Sequence, residues 1–352
     1  ASADPTGNWM WAKGFQTLPN SSTDKSIPQA IVIDGFGDVV VAGYFSGETD
    51  FGGTTINVSN QEIFVAKLDG MNGALKWAVS GGGIGAQSVT DVIIDGNGDI
   101  HVSGLTQNNV LFGTNSYSLV GTQDSFIVKL SSTGSFQSIT GYGIPNQAVS
   151  VSNLALDSNG NLYVGGSFEG TMAKNGWSIT ANKGGADLFF IKEGATPSNQ
   201  WAATGGSSSG DSLAGMEVTS RGEIILSSFF LDGTFSGGTK SVTGTGSSWA
   251  NLNADVLVGG LSSSGSWAWL DVTGSTSLEV GWDLAVNSSD IATVIGSFAG
   301  PSPATITKDS TTVTSTGGWD VFVWAMDPSK KTDSDADGIP DVSDNCPNVV
   351  NP

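Results

Sequence analysis

The chain has 352 residues, 50 of them glycine, with 38% apolar residues and 11 tryptophans, which is enough for a substantial core and excludes a globally disordered chain. Thirteen basic residues against 33 acidic ones leave a net charge of −20. That excludes a general nucleic-acid binder, since phosphate neutralisation needs clustered Lys and Arg, and argues against docking on anionic lipid. No stretch reaches the ~20 consecutive apolar residues of a membrane-spanning helix. One cysteine (Cys346) and one histidine (His101) exclude a Cys/His zinc site and an internal disulfide.

In chain order, the sequence opens Ala1-Ser2-Ala3 and runs straight into a folded-looking segment, as a mature terminus left by a signal peptidase would. Asn-x-Ser sequons at Asn20, Asn57 and Asn287 are compatible with secretion. The first predicted strand is Trp9 to Gly14. A repeating unit follows, beginning with an alternating apolar run, a turn and a second run: Ile31 to Phe45, Val92 to Gly104, Leu154 to Gly166, Met216 to Phe230 and Leu284 to Phe298. Period-2 alternation broken by Asp-Gly-x-Gly-Asp or Ser-Asn-Gly predicts a β-hairpin.

A strand of the form Asp-x-Phe-Val-x-Lys-Leu comes next, starting at Glu62, Asp124, Asp187, Asp255 and Asp320, at intervals of 62, 63, 68 and 65 residues. An aromatic strand follows it, marked by Trp77, Phe136, Trp201 and Trp267. A polar insertion precedes each lysine-type strand and can hold a short extra strand, such as Thr55 to Val58. Sixty-odd residues with four strands and no helical periodicity describe one propeller blade with a long loop, whereas β-helix coils are shorter and sandwiches longer. Five hairpins and five lysine-type strands, with one aromatic strand placed ahead of them all, balance for a closed ring. The predicted fold is an all-β five-bladed β-propeller of four-stranded blades, residues 1–328, closed by the N-terminal strand.

These units resemble the bacterial β-propeller repeat family of secreted and surface proteins, on Asp-x-x-Gly-Asn/Asp-Ile/Leu-Tyr/His-Val-x-Gly and Asp-x-Phe-Val-x-Lys-Leu, over roughly residues 9–327. The fourth unit departs from the pattern at Thr219 to Glu223 and lacks the lysine. The fifth reads Asn287 to Asp290 at the turn. The resemblance implies a fold and a location more than an activity.

Residues 329–352 change character. Asp333, Asp335, Asp337, Asp341 and Asp344 fall at positions 1, 3, 5, 9 and 12 of a calcium loop, with Gly338 at position 6. The seventh ligand position belongs to the backbone carbonyl of Ile339. Five carboxylates in twelve residues repel one another unless a hard cation sits among them, so Ca²⁺ is the expected ligand. The stretch also resembles a thrombospondin type 3 repeat, which implies a calcium-stiffened stalk and leaves Cys346 without its usual partner.

Catalytic candidates are few. A glycosidase needs two convergent acids, and Glu217 and Glu279 lie near the hairpins of the last two units without further distinction. His101 is a repeat-slot strand residue. The Asp34/Asp38 and Asp95/Asp99 turns can be read as metal loops or as ordinary hairpin turns, and Lys67, Lys129 and Lys192 as partners of blade acids or as side chains that snorkel at sheet edges. Trp177 and Trp249, in the inserted loops, can stack on a sugar or anchor the loop. The expected function is a non-enzymatic secreted or cell-surface module for adhesion or extracellular assembly, with an extracellular protein or glycan partner or self-assembly. The alternative is a lectin-like propeller, and behind it a polysaccharide hydrolase.

Overall fold

The computed structural model describes residues 2–3, 7–18, 24–174, 176–194, 200–231, 233–244, 254–273, 278–299, 305–308 and 311–331. Among them every regular element is a strand apart from a 3-10 turn at Pro328–Lys331, and neighbouring strands pair antiparallel. The chain divides into two compact units, Ala1–Leu154 and Ala155–Pro352, the division running through the strand Val149–Leu156.

The first unit holds two four-stranded meanders. The first sheet is Ser26–Ile33, Val39–Asp50, Thr55–Leu68 and Leu75–Gly83; the second is Gln87–Ile94, Ile100–Thr106, Asp124–Leu130 and Phe136–Tyr142. The third sheet opens with the strand that carries the division and continues in the second unit as Leu162–Phe168, Asp187–Glu193 and Trp201–Gly206. The fourth is Asp211–Val218, Ile224–Leu231, Ala254–Leu261 and Trp267–Thr273. The fifth has three described strands, Leu278–Val286, Ala292–Ala299 and Trp319–Met326.

Register explains why two sequence signals recur together. In four sheets a glycine within the second strand lies opposite the phenylalanine of the third: Gly43 faces Phe64, Gly104 faces Phe126, Gly166 faces Phe189 and Gly296 faces Phe322. A Cβ on Gly43, Gly104 or Gly296 would run into the facing ring, so a hydrogen there makes room for the aromatic side chain, which in turn covers the bare backbone. In the fourth sheet both members change at once, to Ser228 and Leu257.

Three sequence expectations are corrected by the register. Lys67, Lys192 and Gly260 face Trp77, Trp201 and Trp269, whereas Lys129 faces Ser138. Phe136 and Trp267 instead share the slot of Leu75, opposite Leu130, Leu261 and Leu68. The same bulge separates the two slots in the first, second and fourth sheets, and Phe136 and Trp267 stand two residues ahead of the slot that Trp77 fills. The insertions are hairpins: Val110–Phe112 with Asn115–Tyr117, Thr171–Lys174 with Trp177–Thr180, Thr234–Gly237 with Lys240–Thr243, and Thr305–Lys308 with Thr311–Thr314. In the first repeat there is no separate extra strand, because Thr55–Leu68 is continuous. Trp177 is therefore a strand residue, half-buried, and Trp249 lies outside the described residues.

Packing between successive sheets forms the core. In the first unit Ile63 and Val65 meet Val89, Val92, Val102 and Phe126. In the second, Leu188 and Phe190 meet Leu213, Met216, Leu226 and Phe230, and Val256 and Val258 meet Leu284, Val294, Phe298 and Phe322. Trp9–Trp11 pairs with Ser2–Ala3, and the Trp11 indole donates to the Gly70 carbonyl at 2.9 Å. The repeat tryptophans do the same, Trp77 to Ser132 O at 3.2 Å and Trp201 to Ser263 O at 3.0 Å. The N-terminal strand thus supplies the first sheet with the indole that other sheets receive from the preceding repeat.

Candidate functional site

The recurrent chemistry lies in the turn joining the first two strands of each sheet. Asp34 Oδ1 accepts the amides of Phe36 and Asp38, both at 2.9 Å. Asp95 Oδ1 accepts those of Asn97 and Asp99 at 2.9 and 3.0 Å, and Asp157 Oδ1 those of Asn159 and Asn161, both at 2.9 Å. Asn287 repeats the pattern with Ser289 and Ile291. Each turn also needs one left-handed residue. Glycine supplies it at Gly37, Gly98, Gly160 and Gly222, and in the fifth sheet Asp290 does so at φ 59°.

The second carboxylate oxygen meets the repeat lysine: Lys67 Nζ is 2.6 Å from Asp34, Lys129 3.1 Å from Asp95, and Lys192 3.3 Å from Asp157. One acid therefore clasps its own turn with one oxygen and the third strand with the other. The lysine slot becomes Gly260 in the fourth sheet and Ala325 in the fifth, and there the turn acid is Thr219 or Asn287. Acid and lysine vanish together. The pairing expected of the lysines is present, and at Asp34/Asp38 and Asp95/Asp99 the ammonium occupies the place a metal reading would give to a cation. No group of three or more His, Cys, Asp or Glu suited to a metal occurs among the described residues.

Electrostatics follow this geometry. Burial alone would raise the Asp95 carboxyl, but hydrogen bonds from His101, Lys129 and two turn amides outweigh it and hold it at about 2. Asp34 and Asp157 are likewise lowered, burial being outweighed by hydrogen bonds from Lys67, from the Asn161 side chain and from turn amides. Burial lowers His101, which outweighs its bond to Asp95 at 3.1 Å. His101 is thus a partner within the clasp, at the slot where Tyr163 bonds Asp157 at 3.2 Å. In the fourth and fifth repeats Asp290 substitutes, taking Ser220 N and Oγ at 2.8 and 2.6 Å and Arg221 at 3.1 Å.

A second group of acids stands at the opposite end of the sheets. Glu217 and Glu279 do not converge: Glu217 faces Ile225 near the turn, while Glu279 is fully buried and faces Phe298 at the other end. The slot of Glu279 in the fourth sheet is Asp211, a residue that sequence reasoning passed over although it begins an alternating run. Asp211 is 3% exposed, accepts Ser207 N and Oγ, and is pushed up to about 6 by burial despite those bonds, with the Asp187 charge adding to the rise. Asp187 is wholly buried and raised by burial as well.

Beside the third-sheet clasp lies a groove of about 570 Å³, lined by Asn159, Asn161, Lys192, Gln200, Trp201 and two serines. The calcium-loop residues Asp333, Asp335, Asp337, Ile339, Asp341 and Asp344, together with Cys346, lie outside the described residues.

No protein-family profile and no curated protein matches the chain. Among solved structures it is similar to a protein of unknown function from Dyadobacter fermentans DSM 18053, at 9% identity and TM-score 0.43, covering 81% of this chain and 79% of that one. It is also similar to an endo-arabinase from Bacteroides thetaiotaomicron VPI-5482, at 13% identity and TM-score 0.30, covering 86% and 97%.

Proposed function

We propose that the chain is a five-bladed β-propeller of the bacterial β-propeller repeat kind, secreted or displayed at the cell surface, which serves adhesion or extracellular assembly without catalysing a reaction. The observation that carries this reading is where the ionisable groups go. Asp34, Asp95 and Asp157 are consumed in clasps with Lys67, Lys129 and Lys192, and the raised acids Asp187 and Asp211 are buried to 3% exposure or less, away from any substrate. Strong repeated chemistry spent on holding turns describes a scaffold whose loops are free to vary.

The fifth blade is completed by the N-terminal strand, supported by Trp11 binding the first sheet as Trp77 binds the second. The acidic tail, with Asp333, Asp335, Asp337, Asp341, Asp344 and the Ile339 carbonyl as ligands, binds Ca²⁺ as one thrombospondin type 3-like unit of a stalk.

The test immobilises the purified chain and measures attachment to cell surfaces and self-association, with calcium and with a chelator, while a polysaccharide panel is assayed for released sugar. Attachment or self-association without released sugar is expected. Turnover of any polysaccharide would overturn the non-enzymatic reading, and the absence of both attachment and self-association would overturn adhesion and assembly.

A further inference from the structure

We infer that the groove beside Trp201 is a binding site for a neutral saccharide. This deepens the adhesion reading, on which it rests, by assigning the partner's chemistry and its place.

Comparison of the same position in three repeats points to the site. In the first sheet it is closed by charge: Lys76 Nζ lies 2.5 and 2.6 Å from the two Asp38 oxygens and 3.6 Å from Asp69. In the second sheet Asp99 binds Lys129 at 2.9 Å and Gln137 at 3.3 Å. In the third sheet the counterparts of Asp38 and Lys76 are Asn161 and Gln200, so both charges are gone. Neither amide bridges the gap, because Asn161 Nδ2 turns to Asp157 at 2.7 Å and Gln200 Nε2 to the Gly194 carbonyl at 2.8 Å. The Gln200 Oε1 atom is buried without a hydrogen-bond partner among the described residues, so the glutamine makes no ion-pair-like bridge to Asn161.

What remains is a groove of neutral polar groups with one aromatic wall. Lys192 reaches it with its charge already answered by Asp157 and its ammonium 5.0 Å above the Tyr163 ring. Ser263, Ser264 and Asn159 complete the polar lining. Trp201 is fixed edge-to-face on Tyr163 at 6.0 Å, its indole N–H already given to Ser263 O, so its remaining role is apolar. Fixed indole, several uncharged donors and acceptors, and a single cation already paired with Asp157 match a sugar ring, which offers a C–H face to the indole and hydroxyl pairs to the amides. An anionic ligand would find no unpaired cation in the lining.

The test titrates the whole chain with neutral oligosaccharides of glucose, mannose, galactose and xylose, by calorimetry and tryptophan fluorescence. The paired variant Asn161→Asp, Gln200→Lys rebuilds the ion pair that the first sheet already tolerates, so it is expected to fold and to weaken binding about tenfold or more. Independently of that variant, the side-chain amide resonances of Asn159, Asn161 and Gln200 are expected to shift on titration. Absence of binding to every neutral oligosaccharide, undiminished binding by the variant, or resonance shifts confined to other residues would each overturn the inference. Surface attachment that survives in the variant would reject the groove while leaving the adhesion reading intact.

Discussion

Replacing Lys67 with alanine should destabilise the protein by about 3 kcal/mol, and adding Asp34→Asn should give back part of that loss. Lys67 Nζ sits 2.6 Å from Asp34 Oδ2, with the two side chains 10% and 6% exposed. At an effective dielectric near 20, unit charges at that distance attract by about 6 kcal/mol, most of it offset by the cost of taking both from water. Removing the lysine leaves the carboxylate buried near a second acid, Asp38, whose Oδ2 is 3.6 Å from the same ammonium. Breaking a buried pair costs roughly 3–5 kcal/mol. The low end applies because the amides of Phe36 and Asp38 still serve Asp34 and Lys76 still serves Asp38. The double variant recreates the Asn287/Ala325 combination of the fifth sheet, where the asparagine makes the same two amide bonds. A coupling of about 2 kcal/mol between the two changes is therefore expected. Urea denaturation followed by tryptophan fluorescence measures it, provided the slopes agree among variants. Additive losses would refute the clasp as the reason acid and lysine vanish together.

Trp11→Ala should cost about 2 kcal/mol, because its indole covers Gly73 and bonds Gly70, whereas Trp9→Ala, at a site 78% exposed, should cost under about 0.5. Equal shifts in melting temperature would refute this. Asp211, with a folded pKa of about 6 against 3.8, keeps its proton longer in the folded than in the unfolded chain. Its contribution therefore falls as pH rises from about 4 to about 6, by at most about 3 kcal/mol. Asp211→Asn should remove that slope, and identical pH profiles of stability for variant and parent would count against it. Finally, Val323→Asp is harmless on an open face, but in a closed ring it should destabilise by about 2 kcal/mol or more. An unchanged denaturation midpoint would refute ring closure.

Much of the fold was legible because repetition samples each interaction several times. The hairpin turns and the lysine-type strands recur at a near-constant interval, and the lysines were already readable as partners of blade acids, which is where Lys67 and Asp34 meet. The aromatic slot was not legible, since Phe136 and Trp267 stand two residues ahead of the slot of Trp77 and Trp201, and only the strand pairing shows which position each occupies. Asp211 escaped for a different reason: its raised pKa comes from burial, which no single-residue pattern encodes. The Asn161/Gln200 groove was hidden because each change looks conservative alone, and only register shows that they remove the two halves of one ion pair.

The last repeat keeps the apolar pattern of the others with less of it covered among the described residues. Val321 and Val323 hold the register positions of Ile63 and Val65, of Leu188 and Phe190, and of Val256 and Val258, all six at most 1% exposed against a following sheet. In the fifth sheet the same positions are 74% and 66% exposed. An array of stacked units that ends in water carries a polar face on its terminal member. The fifth sheet instead repeats the apolar pattern of its internal counterparts, and at the other terminus Ile31 and Ile33 stand 67% and 66% exposed where Val92, the counterpart of Ile31, is 3%. Among the described residues, apolar faces thus stand open on the first and the last sheet, and these are the faces that the proposed ring would bury and that Val323→Asp tests.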